Sequence, residues 1–203
     1  MEKKIIINIG RQFGGGGLAV AGELGKKLGI PVYDRELIHK AAQDSGFSAE
    51  LFEQSDEKRR IFSLSSIFTS IYTSPTENYM SDSGLFEIQC STIQKIAQQG
   101  SAIIVGRCAD YVLKDYPNVM SVFVHADEDF CFDRAMERNS MTPKEMKKFI
   151  AKVDKYRGDY YRYYTGRNWT DARNYDLCLD CGKLGFDKCM EEILAYRKVR
   201  FGV

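Results

Sequence analysis

The chain has 203 residues, 44% of them hydrophobic, with 29 basic and 28 acidic side chains and a formal net charge of +1. That length suffices for one domain with a real core and a mobile piece. The balanced charge argues against a non-specific nucleic-acid binder while leaving room for a local basic patch, and no run of about 18 apolar residues is present to span a membrane.

The apolar run from Ile5 to Ile9, interrupted only by Asn8, predicts a central parallel strand covered on both faces. It runs straight into Gly10-Arg11-Gln12-Phe13-Gly14-Gly15-Gly16-Gly17, and a helical stretch from Leu18 to Leu28 follows. Strand, glycine loop and helix is a phosphate-cradling arrangement, because glycines let backbone amides turn toward an anion and the helix start adds partial positive charge. Ile30 to Tyr33 predicts a short second strand, and Arg35 to Asp44 a helix. The stretch from Ser45 to Gly84 is long, polar and rich in Ser and Thr, and reads as helices with a loose loop around Tyr72 to Ser83.

Helix Leu85 to Gln99, strand Ser101 to Val105, helix Ala109 to Lys114, strand Val119 to Val124 and helix Asp127 to Arg138 come next. Thr142-Pro143-Lys144-Glu145 is a helix start: Thr142 can cap, Pro143 suits the first turn and Glu145 completes a capping box. That helix is expected to reach the mid-150s or beyond. A fifth strand, Tyr175 to Leu179, and a helix, Phe186 to Lys198, close the chain. Strands alternating with helices predict a parallel α/β sheet with right-handed crossovers. The six cysteines are scattered, and with a chain that opens on a strand and shows no secretion signal they fit reduced thiols in the cytoplasm. Cys178 and Cys181 spell C-x-x-C, read as two incidental buried residues at a strand end, since no second pair exists to complete a zinc site.

Taken together, the glycine loop, Pro31-Val32-Tyr33-Asp34, Ile104-Val105-Gly106-Arg107, Val122 to Ala126, Arg134 to Arg138, Asp154-Lys155-Tyr156-Arg157 and Tyr175-Asp176-Leu177 resemble, in that order, the motifs of cytidylate kinase and its cytidylate-kinase-like relatives among the P-loop nucleoside monophosphate kinases. The resemblance implies a three-layer α/β/α P-loop kinase fold with a five-stranded parallel sheet. It divides the single domain, 1–203, into a core (1–44, 85–138 and 175–203), an acceptor-binding insertion at about 45–84 and an arginine-bearing lid at about 139–174. It also implies a phosphotransferase that uses ATP and Mg²⁺ on a small nucleotide acceptor, with Gly10, Arg11, Gln12, Phe13, Gly14, Gly15, Gly16, Gly17 and Leu18 binding the donor. Two departures stand out. Gly17 occupies the position of the loop lysine and Leu18 that of the metal-binding hydroxyl. Cys108 stands where the aspartate after Gly-Arg is expected, with Asp110 two residues on.

Each charged residue has a functional and a plainer reading. Arg11 could replace the missing loop cation or be a solvated loop residue. Arg107, at the carboxyl edge of the sheet where ligands bind in such folds, could hold an acceptor phosphate or form a structural ion pair. Asp34 could position the acceptor, hold a water on Mg²⁺ or cap the following helix, and Asp110, also grouped with the substrate-binding residues, could meet the metal or sit on a helix surface. Arg134 and Arg138 share a helix face and could reach donor phosphates or pair with Asp127, Glu128 or Glu137. Asp154 and Arg157 are the lid candidates. The segment Tyr156 to Trp169, rich in tyrosine and arginine, could close on phosphates, stack on single-stranded nucleic acid or pack on the core. Helical spacing favours packing for Tyr156, Tyr160, Tyr163 and Tyr164, and the near-neutral charge counts against nucleic acid. The base recognised and the oligomeric state are not legible here. A nucleotide- or anion-binding protein without phosphoryl transfer is the alternative that the missing lysine and hydroxyl leave open.

Overall fold

A computed structural model of the chain describes residues 4–35, 37, 38 and 83–203. Five parallel strands form one sheet: β1 (Ile6–Arg11), β2 (Val32–Tyr33), β3 (Ala102–Val105), β4 (Val119–His125) and β5 (Leu177–Asp180), in the order β2-β3-β1-β4-β5. The run of isoleucines explains why β1 lies at the centre. Its successive side chains point to opposite faces, and both faces are covered. Ile7 and Ile9 pack with Val20 and Leu24 of α1 (Gly17–Leu28) and Ile193 of the carboxyl-terminal helix. Ile6 packs on the other side with Ile93 of α2 (Ser83–Gln99), Ile104, and Leu113 beside α3 (Ala109–Val112). The result is the three-layer α/β/α sheet expected from the alternation of elements. Among the described residues no helix is long and apolar enough to cross a membrane.

Capping sets the boundaries of the next elements. α4 (Glu128–Arg138) begins where the Asp127 carboxylate accepts from the Phe130 amide at 2.8 Å. α5 (Pro143–Thr165) carries the predicted capping box between Thr142 and Glu145 and continues unbroken for 23 residues. Its first half packs on α4 through Met146, Phe149 and Val153, a cluster that also takes in Phe13 of the glycine loop. The Phe13 and Phe149 rings meet edge to face at 5.2 Å. Its second half joins Cys108, Phe123 and Trp169 through Tyr161. The helical-face reading holds for Tyr160 and Tyr164, which pack against this cluster partly buried, and needs correction at Tyr163, 48% exposed, while the tyrosine fully inside is Tyr161.

Two further boundaries differ from the sequence expectation. Tyr175 precedes β5 because its amide closes a 3₁₀ turn (Ala172–Asn174) by donating to the Ala172 carbonyl. The last helix, α6 (Cys181–Phe201), starts earlier than Phe186. Asp180 caps it through the Lys183 amide, and a non-helical residue, Gly185, then divides it. Only the part after that break carries the periodicity legible in the sequence. Cys181 is buried at the start of α6 but Cys178 is exposed, so the C-x-x-C is not a buried pair. The helix expected over 35–44 is described only at Arg35, Leu37 and Ile38, and the stretch 45–82 lies outside the described residues.

Candidate functional site

The glycine loop joins the carboxyl end of β1 to the start of α1, at the edge of the sheet where β3 and β4 also end. Its backbone is tied down from several sides. The Gln12 amide donates to the Val124 carbonyl at 3.2 Å, and the Gln12 side chain accepts from the Ala126 amide at 3.2 Å. The Phe13 amide donates to both oxygens of Asp154, at 2.9 and 3.2 Å, and the Gly15 amide to the Gln12 carbonyl at 3.3 Å. Among the described residues the amides of Gly14, Gly16, Gly17 and Leu18 donate to no acceptor. Gly14 and Gly16 are left-handed (φ 78° and 88°) while Gly15 between them is not. That alternation is the backbone geometry of an anion nest. Gly16, with no side chain to offer, caps α1, so the helix start is left open to an external anion.

Arginines surround this loop. The Arg11 side chain leaves the end of β1 and reaches Gly106, where a Cβ would overlap Nη1 and lie 3.3 Å from Cζ. Among the described residues its guanidinium makes no hydrogen bond or ion pair. Burial and the neighbouring charges of Arg157 and Arg107 push its pKa down to about 9, against the opposing pull of Asp154 and Asp34. It therefore remains protonated at neutral pH. Arg157 donates to the Arg11 carbonyl and to Asp154 Oδ1, each at 3.2 Å, and lies over the Phe13 ring. Burial lowers its pKa while Asp154 works against the change, and burial pushes the Asp154 carboxyl up against the pull of Arg157 and the Phe13 amide. So α5 clamps the loop through two backbone contacts, made by Asp154 and Arg157, which are paired with each other within the helix.

Arg107 sits in an unusual turn. Gly106, Arg107 and Cys108 all have positive φ (72°, 60° and 57°), and two of them are not glycine. Left-handed backbone at a non-glycine residue costs about 1–3 kcal/mol and persists where the surroundings enforce it. Here Gln89 donates to the Arg107 carbonyl at 3.0 Å, Tyr160 donates to Gln89 at 3.4 Å, and the guanidinium lies 5.2 Å from the Tyr160 ring centre. Arg107 Nε is buried with no partner among the described residues.

The remaining candidates lie as follows. Asp34 accepts from the Leu37 amide at 3.1 Å, the helix-cap geometry, and stays within electrostatic reach of Arg11. Arg134 stacks 4.5 Å from the Phe186 ring centre. That ring packs on Gly16, where a Cβ would lie 2.6 Å from it, so Arg134 stands one ring away from the start of α1. Asp110 is engaged elsewhere: its carboxylate accepts from the Tyr161 hydroxyl at 2.5 Å, and burial pushes its pKa up. Arg11, Arg107, Asp154 and Arg157 thus converge on the loop, Asp34 and Arg134 flank it, and Asp110 supports α5. A cleft of about 280 Å³ beside the loop is lined by Gln12, Asp154, Gly158, Arg162, Asn168 and Trp169. Gln89 and Phe186 are part of this neighbourhood although nothing in the sequence marks them, and Tyr160, expected only to pack, meets the Arg107 guanidinium. No local spacing connects them to the loop.

A family model described as "Cytidylate kinase-like family" matches residues 6–183. No curated protein matches the chain. Among solved structures, an uncharacterized protein from Eubacterium ventriosum ATCC 27560 is 31% identical, with a TM-score of 0.75 over 97% of this chain and 100% of that one. A sugar kinase from Janibacter sp. HTCC2649 is 12% identical, with a TM-score of 0.55 over 97% of this chain and 95% of the other. Shikimate kinase from Bacteroides thetaiotaomicron is 13% identical, with a TM-score of 0.51 over 96% and 98%. The last two show the shared P-loop kinase fold.

Proposed function

The chain belongs to the cytidylate kinase-like family, and from that premise we propose that it is an ATP-dependent phosphotransferase acting on a nucleoside monophosphate or a similar small acceptor. One observation carries the reading: four unengaged amides at Gly14, Gly16, Gly17 and Leu18 stand beside a guanidinium, Arg11, that has no ion-pair partner among the described residues. Such a site is complementary to a polyphosphate. Phosphoryl transfer asks little covalent chemistry of a protein and depends on positioning and on positive charge around the moving group.

In this reading the loop amides hold the donor phosphates and Arg11 supplies the charge that a loop lysine otherwise gives. Arg107 holds the acceptor at the end of β3, with Asp34 orienting it. Arg157, fixed by Asp154, and Arg134, resting on Phe186, close the donor side. Segment 139–174 acts as the lid and about 45–84 as the acceptor-binding insertion. The acceptor is a small molecule, and the site of action is the cytoplasm. The residues present do not fit a metal held by the loop. Leu18, 51% exposed, stands at the position of the hydroxyl ligand, and no group of three His, Cys, Asp or Glu that could hold a metal occurs among the described residues. In this reading magnesium enters as the counter-ion of ATP.

The test is ATP-dependent phosphorylation of a nucleoside monophosphate panel, extended to small hydroxylated acids and sugars. Turnover of at least one acceptor is expected. No turnover with any of them, in a protein that binds ATP, would favour the alternative for which Gly17 and Leu18 speak, a nucleotide-binding protein without transfer.

A further inference from the structure

The chain lacks a side chain at the position where a phosphate loop carries its lysine, and the geometry around that position gives the reason. Gly17 is the first residue of α1. A Cβ on Gly17 would lie 2.5 Å from the Arg11 Cβ, 3.2 Å from its Cγ and 3.3 Å from the Val124 Cβ. Two β-carbons are fixed to their backbones and cannot rotate apart, so side chains at positions 11 and 17 exclude each other. From there the Arg11 stem runs to Gly106, which likewise has no room for a Cβ beside the guanidinium. Two glycines on separate elements thus bracket one arginine.

We infer that Arg11 and Gly17 are a transposed pair: the cation of the phosphate loop has moved from position 17 to position 11, and Gly17 is the space its side chain requires. The inference rests on the phosphotransferase reading and deepens it. A lysine at the start of the helix would approach the donor from the loop side. Arg11 instead ends at Gly106, next to Arg107, between the donor loop and the strand end assigned to the acceptor. A planar guanidinium there can contact two oxygens at once. It is therefore placed to hold the transferred phosphoryl group between donor and acceptor. The crowding of Arg11 by Arg107 and Arg157, with Asp154 already bonded to Arg157, leaves a surplus of positive charge that a polyanion would neutralise.

A reciprocal exchange tests this. Binding of ATP with magnesium, and of inorganic pyrophosphate, is measured by calorimetry for the wild type, Arg11→Gly, Gly17→Lys and the double variant, each with a thermal melt. Arg11→Gly is expected to weaken both ligands by about tenfold to a hundredfold, as loss of a charge-assisted contact does. Gly17→Lys alone should melt lower than the wild type, because the two stems collide. The double variant should bind to within about threefold of the wild type and melt above Gly17→Lys. Arg11→Met, which keeps the stem and removes the charge, should weaken binding as Arg11→Gly does and covers the case in which a glycine at the strand end unfolds the loop. Wild-type affinity in Arg11→Met, or a folded double variant that binds no better than Arg11→Gly, overturns the transposition and leaves the phosphotransferase reading standing. A wild type that binds neither ATP nor pyrophosphate overturns both.

Discussion

An Arg107→Gly variant is expected to lose about a hundredfold to a thousandfold in kcat/KM for the acceptor while folding normally. The size follows from deleting one pre-positioned cation that holds the acceptor in line with the donor. Glycine is the informative replacement because of the backbone. At φ 60° Arg107 pays a conformational cost that glycine does not. Glycine also forfeits the guanidinium contact with Tyr160, about 0.5–2 kcal/mol in general, so the two changes roughly cancel in stability. An alanine there would leave the strain in place and confuse the two effects. Steady-state kinetics together with a melt decide the matter. If kcat/KM stays within about threefold of the wild type, Arg107 does not hold the acceptor and its strained turn needs another explanation.

Gly14→Ala should be the most damaging single change in the loop. A Cβ at that position would collide with the Cys131 carbonyl oxygen and lie 2.9 Å from both the carbonyl carbon and Cα of the same residue. Backbone atoms of α4 cannot rotate out of the way as a side chain would. The residue is also left-handed, at φ 78°. Strain and overlap together are expected to cost about 3 kcal/mol or more, which for a chain of this size lowers Tm by about 6–12 °C. Because α4 abuts the loop at this point, the variant should also bind ATP more weakly. A melting point within about 2 °C of the wild type would show that the loop does not rest on Cys131 as described.

Much of this architecture was written in local pattern. The isoleucines of β1, the glycine run that follows, and the Thr142 to Glu145 start of α5 each fix an element through physics confined to a few neighbouring residues. Legibility failed where a partner distant in sequence decides the outcome. Tyr161 is buried because Asp110 and the Cys108, Phe123 and Trp169 cluster meet it, which helical spacing within α5 cannot reveal. The early start of α6 was hidden by Gly185, which interrupts the periodicity a reader depends on. At the site, the absence of a lysine at Gly17 and the presence of Arg11 were both plain in the sequence. Their mutual exclusion was not, since it arises from the close approach of the end of β1 to the start of α1. The support of Arg107 by Gln89 and Tyr160 is of the same kind: a bond between α2 and the β3 turn, buttressed from α5.

In the proposed reading the four amides at the head of α1 receive the donor's phosphates. A crystal structure with a non-hydrolysable ATP analogue tests it most directly. The terminal phosphates are expected within hydrogen-bond distance of the Gly14, Gly16, Gly17 and Leu18 amides, with the Arg11 guanidinium on the outermost group. A nucleotide bound with its phosphates away from those amides, the loop unchanged, would contradict it.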